Sequence, residues 1–365
     1  MIPVAKPTLS GQEKNNVLQA LDSGWISSTG EFVSAFEAGL ARYLGTAQVA
    51  TTSNGTTALH LALLALGVGP CDEVIVPACS FIATLNAVLY TGAEPVFVDI
   101  ELDTWGLDPE QVRSKITKRT KAILAVHLYG FPCRITELNA LAKEHGLFLV
   151  EDNAEAFGAS VNGKKLGTIG DIGTYSFFGN KIITTGEGGA VSSDNATFMD
   201  RVRLYKNQGR KTNKIFQHEV LGYNYRMTNL QAAIGLAQLA QADDFIAARR
   251  HIESLYDARL AGLIYQPKDM PGAEHVNWLY TRMFNHKELD ITALGGFLEQ
   301  NGIDTRRVFS SMSSVAYLGP EYQRLNFPNT NRLHNLGLTL PTYVGLTDAE
   351  ITQVTDAVNT FIRGL

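Results

Sequence analysis

The chain alternates between two hydrophobic patterns, and that alternation predicts its fold. Short, nearly unbroken apolar runs fall at residues 49–52, 72–77, 95–99, 122–127 and 148–152, and each has the length of a strand. Between them, residues 55–64, 81–90 and 135–145 carry apolar side chains at helical spacing. Runs that are apolar at consecutive positions belong to strands covered on both faces. That is the condition of a mostly parallel α/β sheet flanked by helices. Right-handed crossovers then bring ligand groups to the carboxyl ends of the strands.

The flanking pattern is different. Pro3 and Pro7 keep the start extended. Helices follow over 11–21 (Val17, Leu18, Leu21) and 31–44 (Phe32, Phe36, Leu40), separated by a polar loop carrying Trp25. Past residue 191 the pattern predicts helices over 196–205 and 229–260, a strand-like stretch over 278–284, and helices over 291–301 and 348–363. The expected division is a large domain, 1–245, and a smaller α+β domain, 246–365.

Composition narrows the function classes. A 365-residue chain with 45% apolar and 18% charged residues is ordinary globular protein. A net charge of -5 without a basic run speaks against a nucleic-acid partner. No apolar run reaches the ~18–20 residues of a membrane span, and the N-terminus lacks a signal-peptide core. Cys71, Cys79 and Cys133 are too scattered for a disulfide framework or zinc cluster, so a reduced, cytoplasmic setting is expected.

The candidate chemistry centres on Lys181, which follows Phe177-Phe178-Gly179-Asn180 and precedes Ile182-Ile183-Thr184-Thr185-Gly186-Glu187-Gly188-Gly189. Apolar neighbours place it in or beside the interior, where an unpartnered lysine loses charge. It reads either as a turn lysine or as an amine that bonds a cofactor aldehyde. Ser53-Asn54-Gly55-Thr56-Thr57 opens a helix after a strand, where backbone N–H groups and the hydroxyls of Thr56 and Thr57 attract a phosphate, or form only a polar cap. Asp152 ends an apolar strand. It could hold a proton on a pyridine nitrogen, ligate magnesium with Glu151 and Glu155, or cap a helix. Phe81 follows another strand and could stack on a flat ring or fill the core, while His127 reads as a satisfied, partly buried histidine. Phosphate turn, aromatic, strand-end acid and lysine, in that order, are the set that pyridoxal phosphate needs.

These motifs, with Trp25-Ile26-Ser27-Ser28-Thr29-Gly30, Gly222-Tyr223-Asn224-Tyr225-Arg226-Met227 and Leu340-Pro341, resemble the DegT/DnrJ/EryC1/StrS family of sugar aminotransferases over nearly the whole chain. The resemblance implies a fold-type I pyridoxal-phosphate enzyme. Lys181 would be its imine-forming lysine, Asp152 the partner of the ring nitrogen, and Phe81 the stacking ring. Gly55, Thr56 and Ser176 would hold the phosphate, and Glu155 would sit near the ring hydroxyl. Asn224 would reach the cofactor phosphate of a second subunit in a homodimer. It also implies L-glutamate as donor, 2-oxoglutarate as product, and a nucleotide-linked keto sugar as acceptor. Trp25, Ser27, Thr29, Arg307 and Phe309 would lie on the sugar side.

Within the family, residues 177–189 and 222–246 are most similar to members that aminate C4 of GDP-4-keto-6-deoxymannose for O-antigen or other glycans. Ser310-Ser311-Met312-Ser313-Ser314 departs from them, because they carry a Pro-His segment there. A dTDP- or UDP-linked sugar, amination at C3, another pyridoxal-phosphate reaction, and a non-catalytic regulator are the alternatives.

Overall fold

The computed structural model describes residues 1–210, 217–268, 270–286 and 288–365. Seven strands form the central sheet: β1 (Gln48–Thr52), β2 (Glu73–Pro77), β3 (Glu94–Val98), β4 (Thr120–Val126), β5 (Phe148–Asp152), β6 (Ile172–Ser176) and β7 (Gly189–Ser193). Their order is β1-β7-β6-β5-β4-β2-β3. The pairings β2–β3, β2–β4, β4–β5 and β5–β6 are parallel, and β7 runs antiparallel to both β6 and β1. The α/β fold with a mostly parallel sheet flanked by helices is thus the one the apolar runs predict.

Two strands escape that pattern. β6 reads Ile172-Gly173-Thr174-Tyr175-Ser176 and β7 reads Gly189-Ala190-Val191-Ser192-Ser193; both are mostly buried although most of their residues are small or hydroxylated. They are strands because their neighbours cover them, not because of intrinsic β propensity. The Lys181 stretch is therefore the connection between two antiparallel neighbours. Two helices, Pro109–Lys115 and Pro328–Leu336, also lie outside the sequence expectation. Proline at their first turn, after Asp108 in one case, was the signal for them. The stretch 229–260 is two helices, Asn229–Leu239 and Ala242–Arg259, because the chain turns at Ala240-Gln241 without a Gly or Pro to mark it.

The helix Gly55–Ala65 is almost wholly buried between sheet and outer helices. Full burial of Leu61 and Leu63 stabilises the fold by roughly 1.5–3 kcal/mol each. The apolar interior falls into two clusters. The larger packs around the central sheet. The smaller gathers Ile252, Tyr256, Leu294, Leu298, Val354 and Val358. A four-stranded antiparallel sheet lies with the smaller cluster, in the order Ile264–Tyr265, Thr281–Phe284, Gly337–Thr339, Arg306–Arg307. The extended N-terminal arm joins that cluster through Ile2, whose N–H donates to the Gly302 carbonyl at 2.7 Å. No helix among the described residues is long and apolar enough to cross a membrane.

Candidate functional site

The carboxyl ends of β5 and β6 and the start of the helix Gly55–Ala65 converge on one place. Asn54 caps that helix: its Oδ1 accepts the Thr57 N–H at 2.9 Å, and Thr57 Oγ1 accepts the Asn54 N–H at 3.2 Å. This reciprocal box occupies the Thr57 hydroxyl, which therefore is not free for a ligand as the sequence suggested. The amides of Gly55 and Thr56 lie ahead of the first intrahelical bond, where backbone N–H groups have no partner within the helix. Ser176, at the end of β6, sits so close that a Cβ on Gly55 would come within 2.8 Å of its Cβ. Any side chain at position 55 would fill the notch.

Asp152 ends β5 and is buried. Its Oδ2 accepts the Thr84 hydroxyl at 3.0 Å and its Oδ1 accepts the Ala154 N–H at 3.1 Å. Burial raises its carboxyl above the usual aspartate range, opposed by the Ala154 amide, Thr84 and the Lys181 charge. Glu155 is also buried, and its Oε2 accepts the Tyr129 N–H at 2.7 Å. Burial pushes this carboxyl up to about 7, against the pull of Lys181. Lys181 Nζ lies 3.9 Å from Glu155 Oε1, with its side chain 12% exposed. Burial lowers the lysine below its ordinary value; Glu155 and Asp152 oppose that, and the Arg306 charge adds to it. An amine whose charge burial opposes and two buried acids favour is suited to accept and return a proton.

Phe81, just beyond β2, is 55% exposed despite its buried neighbours, and its ring lies 5.9 Å from that of Phe309. Phe309 stacks on Tyr129 at 5.5 Å, and Tyr129 stacks on Trp278 at 6.1 Å. Trp278 in turn lies under Lys181 Nζ, 3.7 Å from the ring centroid. An aromatic wall thus runs from the open face at Phe81 to the lysine.

The remaining expected residues make their contacts elsewhere in this chain. Asn224 is exposed, pairs with Asn207, and accepts from the Arg226 guanidinium at 3.3 Å. Trp25, Ser27 and Thr29 lie exposed on a loop pinned to the helix Asn229–Leu239, where Asn229 donates to the Trp25 and Ser27 carbonyls at 2.6 Å each. Arg307 is spent on the Thr292 hydroxyl (2.6 Å) and the His334 carbonyl (3.0 Å). Its neighbour Arg306 bears on Lys181 instead, because successive strand residues point to opposite sides. Ser310–Ser314 docks beside Phe81, with Ser311 bridged to Cys79 and the Met312 N–H on the Ala78 carbonyl at 2.8 Å.

His127 and Glu151 belong to a separate, fully buried anchor. Glu151 accepts the amides of Gly167 (2.8 Å), Ile169 (2.8 Å) and Gly170 (2.6 Å), and it receives His127 Nε2 at 3.1 Å. The Cys133 N–H on His127 Nδ1 (3.2 Å) leaves the ring proton on Nε2. His127 is thus wholly rather than partly buried. Saturation of Glu151 removes it from the magnesium reading, and among the described residues no group of three His, Cys, Asp or Glu could hold a metal ion. Thr84, Tyr129, Trp278 and Arg306 went unnoticed in the sequence. Thr84 alone left a trace there, one helical turn after Ser80.

The model of the DegT/DnrJ/EryC1/StrS aminotransferase family matches residues 7–359. GDP-perosamine synthase of Escherichia coli O157:H7 is 44% identical over 360 residues, covering 99% of this chain and 98% of that protein. The GDP-perosamine synthase of Vibrio cholerae is 43% identical over 365 residues, covering 100% of both. Among solved structures, the aminotransferase TlmJ from Streptoalloteichus hindustanus superposes with a TM-score of 0.93 at 30% identity, over 100% of this chain and 99% of that one. The putative sugar aminotransferase Spr1654 from Streptococcus pneumoniae, in its PMP form, gives 0.93 at 25% identity over 100% of both chains.

Proposed function

The chain belongs to the DegT/DnrJ/EryC1/StrS aminotransferase family, and from that premise we propose that it is a pyridoxal-phosphate-dependent GDP-sugar aminotransferase. Its reaction is transfer of the amino group of L-glutamate to C4 of GDP-4-keto-6-deoxymannose, giving GDP-perosamine. Two relatives of that name, each more than 40% identical over the whole chain, support the substrate. The observation that carries the reading is the buried Lys181 amine, held beside Asp152 and Glu155.

The residues fit the cofactor. The Gly55 notch, the free amides of Gly55 and Thr56 and the Ser176 hydroxyl make an anion cradle at a helix N-terminus. The half-exposed Phe81 offers its face to the ring. Asp152 would meet the ring nitrogen and Glu155 the ring hydroxyl, with Lys181 at the aldehyde. When bound, pyridoxal phosphate supplies an electron sink and a carrier for the amino group. The chain's own part is to hold and move protons. Asp152 would keep a proton on the ring nitrogen. Lys181 Nζ would take the proton from the donor Cα and return it to complete the transfer. Run in reverse, the same transfers aminate the keto sugar.

The chain divides into a cofactor-binding domain, 1–245, and a smaller domain, 246–365; the smaller apolar cluster, drawn from 252–362 with Ile2, supports that division, while the larger cluster reaches across it through Ile246, Trp278 and Met312. The working unit is a cytoplasmic homodimer in which Asn224 reaches the partner's phosphate, in keeping with its exposure. Trp25, Ser27, Thr29, Arg307 and Phe309 would stand on the sugar side. The test is turnover with glutamate against a panel of GDP-, dTDP- and UDP-linked 3- and 4-keto sugars. Fastest turnover on the GDP-linked 4-keto sugar is expected. Faster turnover on a dTDP or UDP sugar overturns the substrate and points to Ser310–Ser314 as the cause.

A further inference from the structure

We propose that the face of Trp278 is the resting site of the Lys181 amine whenever that amine is not bonded to the cofactor, which makes Trp278 a positioning residue. The inference rests on the cofactor reading above. Lys181 Nζ stands 3.7 Å from the centroid of the Trp278 ring. The ring is itself buried, and its Nε1 donates to the carbonyl of Asn180 at 2.7 Å. Lysine and ring are therefore tied through the residue that precedes the lysine.

The ring has been fixed at some conformational cost. Tyr129 (φ 54°) and Asn277 (φ 46°), two residues with side chains, hold left-handed backbone. Such conformations persist where the surroundings over-determine them, and they gather at functional sites. The two turns interlock: the Trp278 N–H donates to the Tyr129 carbonyl at 3.2 Å and the Val276 N–H to the Gly130 carbonyl at 3.3 Å. A Cβ on Gly130 would come within 3.0 Å of Trp278 N, so only glycine lets them meet. Behind them Arg249, 3% exposed, donates to the Trp278 carbonyl at 2.5 Å, and Asn277 Nδ2 donates to the Arg249 carbonyl at 3.0 Å. Tyr129 stacks against the indole and donates its N–H to Glu155, so one residue sets both groups that Lys181 touches.

The chemistry needs such a site. Displaced by the donor amine, Lys181 must stay near the donor Cα and then become an ammonium by accepting its proton. Burial works against that charge, and Arg306 adds to the opposition. Glu155, Asp152 and the negative face of the indole work for it. The carboxylates supply attraction, and the ring adds a defined place from which the proton can be returned.

The test uses the full-length enzyme carrying ¹³C-labelled lysine, converted with glutamate to its amino form. The Lys181 ε-methylene resonance, assigned by its loss in Lys181→Arg, should lie upfield of ordinary lysines through the indole ring current. The shift should shrink in Trp278→Phe and vanish in Trp278→Leu. In parallel, stopped-flow formation of the lysine–cofactor absorbance in apoenzyme given pyridoxal phosphate should show its pH midpoint lowered by about one unit in Trp278→Leu. Trp278→Phe, which keeps a ring in the same space, should fall between and guards against a folding defect. An unshifted wild-type resonance, or an unchanged midpoint in Trp278→Leu, overturns the role of Trp278 alone. Absence of any lysine–cofactor absorbance in the wild type overturns the cofactor reading and this inference with it.

Discussion

Glu151 and Asp152 are adjacent acids at the end of one strand, both buried, and they have opposite fates. Glu151 faces three backbone amides and His127, and these bonds hold its carboxyl below the usual range although burial works to raise it. Asp152 has one hydroxyl and one amide, and burial leaves its carboxyl above the usual range. One charge is fully answered by the fold, and the other is left in want of a cation. A buried acid saturated by its own protein stabilises structure. One supplied with too few donors is available to a ligand.

The comparison can be broken from either side. Lys181→Ala should have the largest effect, removing the visible absorbance of lysine-bound cofactor and lowering turnover more than about 10⁴-fold while thermal stability stays near wild type. Glu151→Ala should do the reverse, costing about 3–5 kcal/mol in urea unfolding because His127 and three amides lose their partner. Asp152→Asn should lower kcat about 10²–10³-fold with an unfolding midpoint close to wild type; a midpoint drop as large as that of Glu151→Ala would erase the contrast.

The smallest effect sharpens it. The Glu155 carboxyl is raised from 4.5 to about 7, so the fold favours its protonated form. That contribution is fully present below pH 4.5 and is lost as pH rises through 7. Glu155→Gln apoprotein should therefore gain stability relative to wild type between pH 5 and 8, by at most about 3 kcal/mol, as read from urea midpoints along the pH series. Parallel curves for the two proteins would mean that Glu155 is ionised throughout.

The sequence made the large features readable and hid the fine ones for physical reasons. β2 to β5 announce themselves because strands covered on both faces are apolar over most of their length. β6 and β7 do not, because Gly173, Thr174, Ser192 and Ser193 are small enough to be buried without being hydrophobic. Asp152 and Lys181 were legible from their place in ordered motifs. What separates Glu151 from Asp152, or Arg306 from Arg307, is which face of a strand each occupies. That face is set by neighbours distant in sequence, such as the 167–170 loop. Trp278 was invisible for the same reason: two improbable backbone turns carry it to Lys181, and no local pattern encodes them.

The place of β1 at the sheet edge sets a timetable. Among the described residues, β1 pairs in the sheet with β7 alone, in register from Gln48 with Ser193 to Thr52 with Gly189. The helix that begins at Gly55 hangs from β1, so it cannot come to rest beside Ser176 until the chain has been made as far as Ser193. A nascent chain halted before Gly189 can already pair β2 through β5 and present Asp152, yet the notch between Gly55 and Ser176 is not yet closed. Closing a loop of that length is slow compared with local helix formation. The anion cradle proposed at Gly55 and Ser176 is therefore completed late in synthesis, when the first and last strands of the central sheet meet.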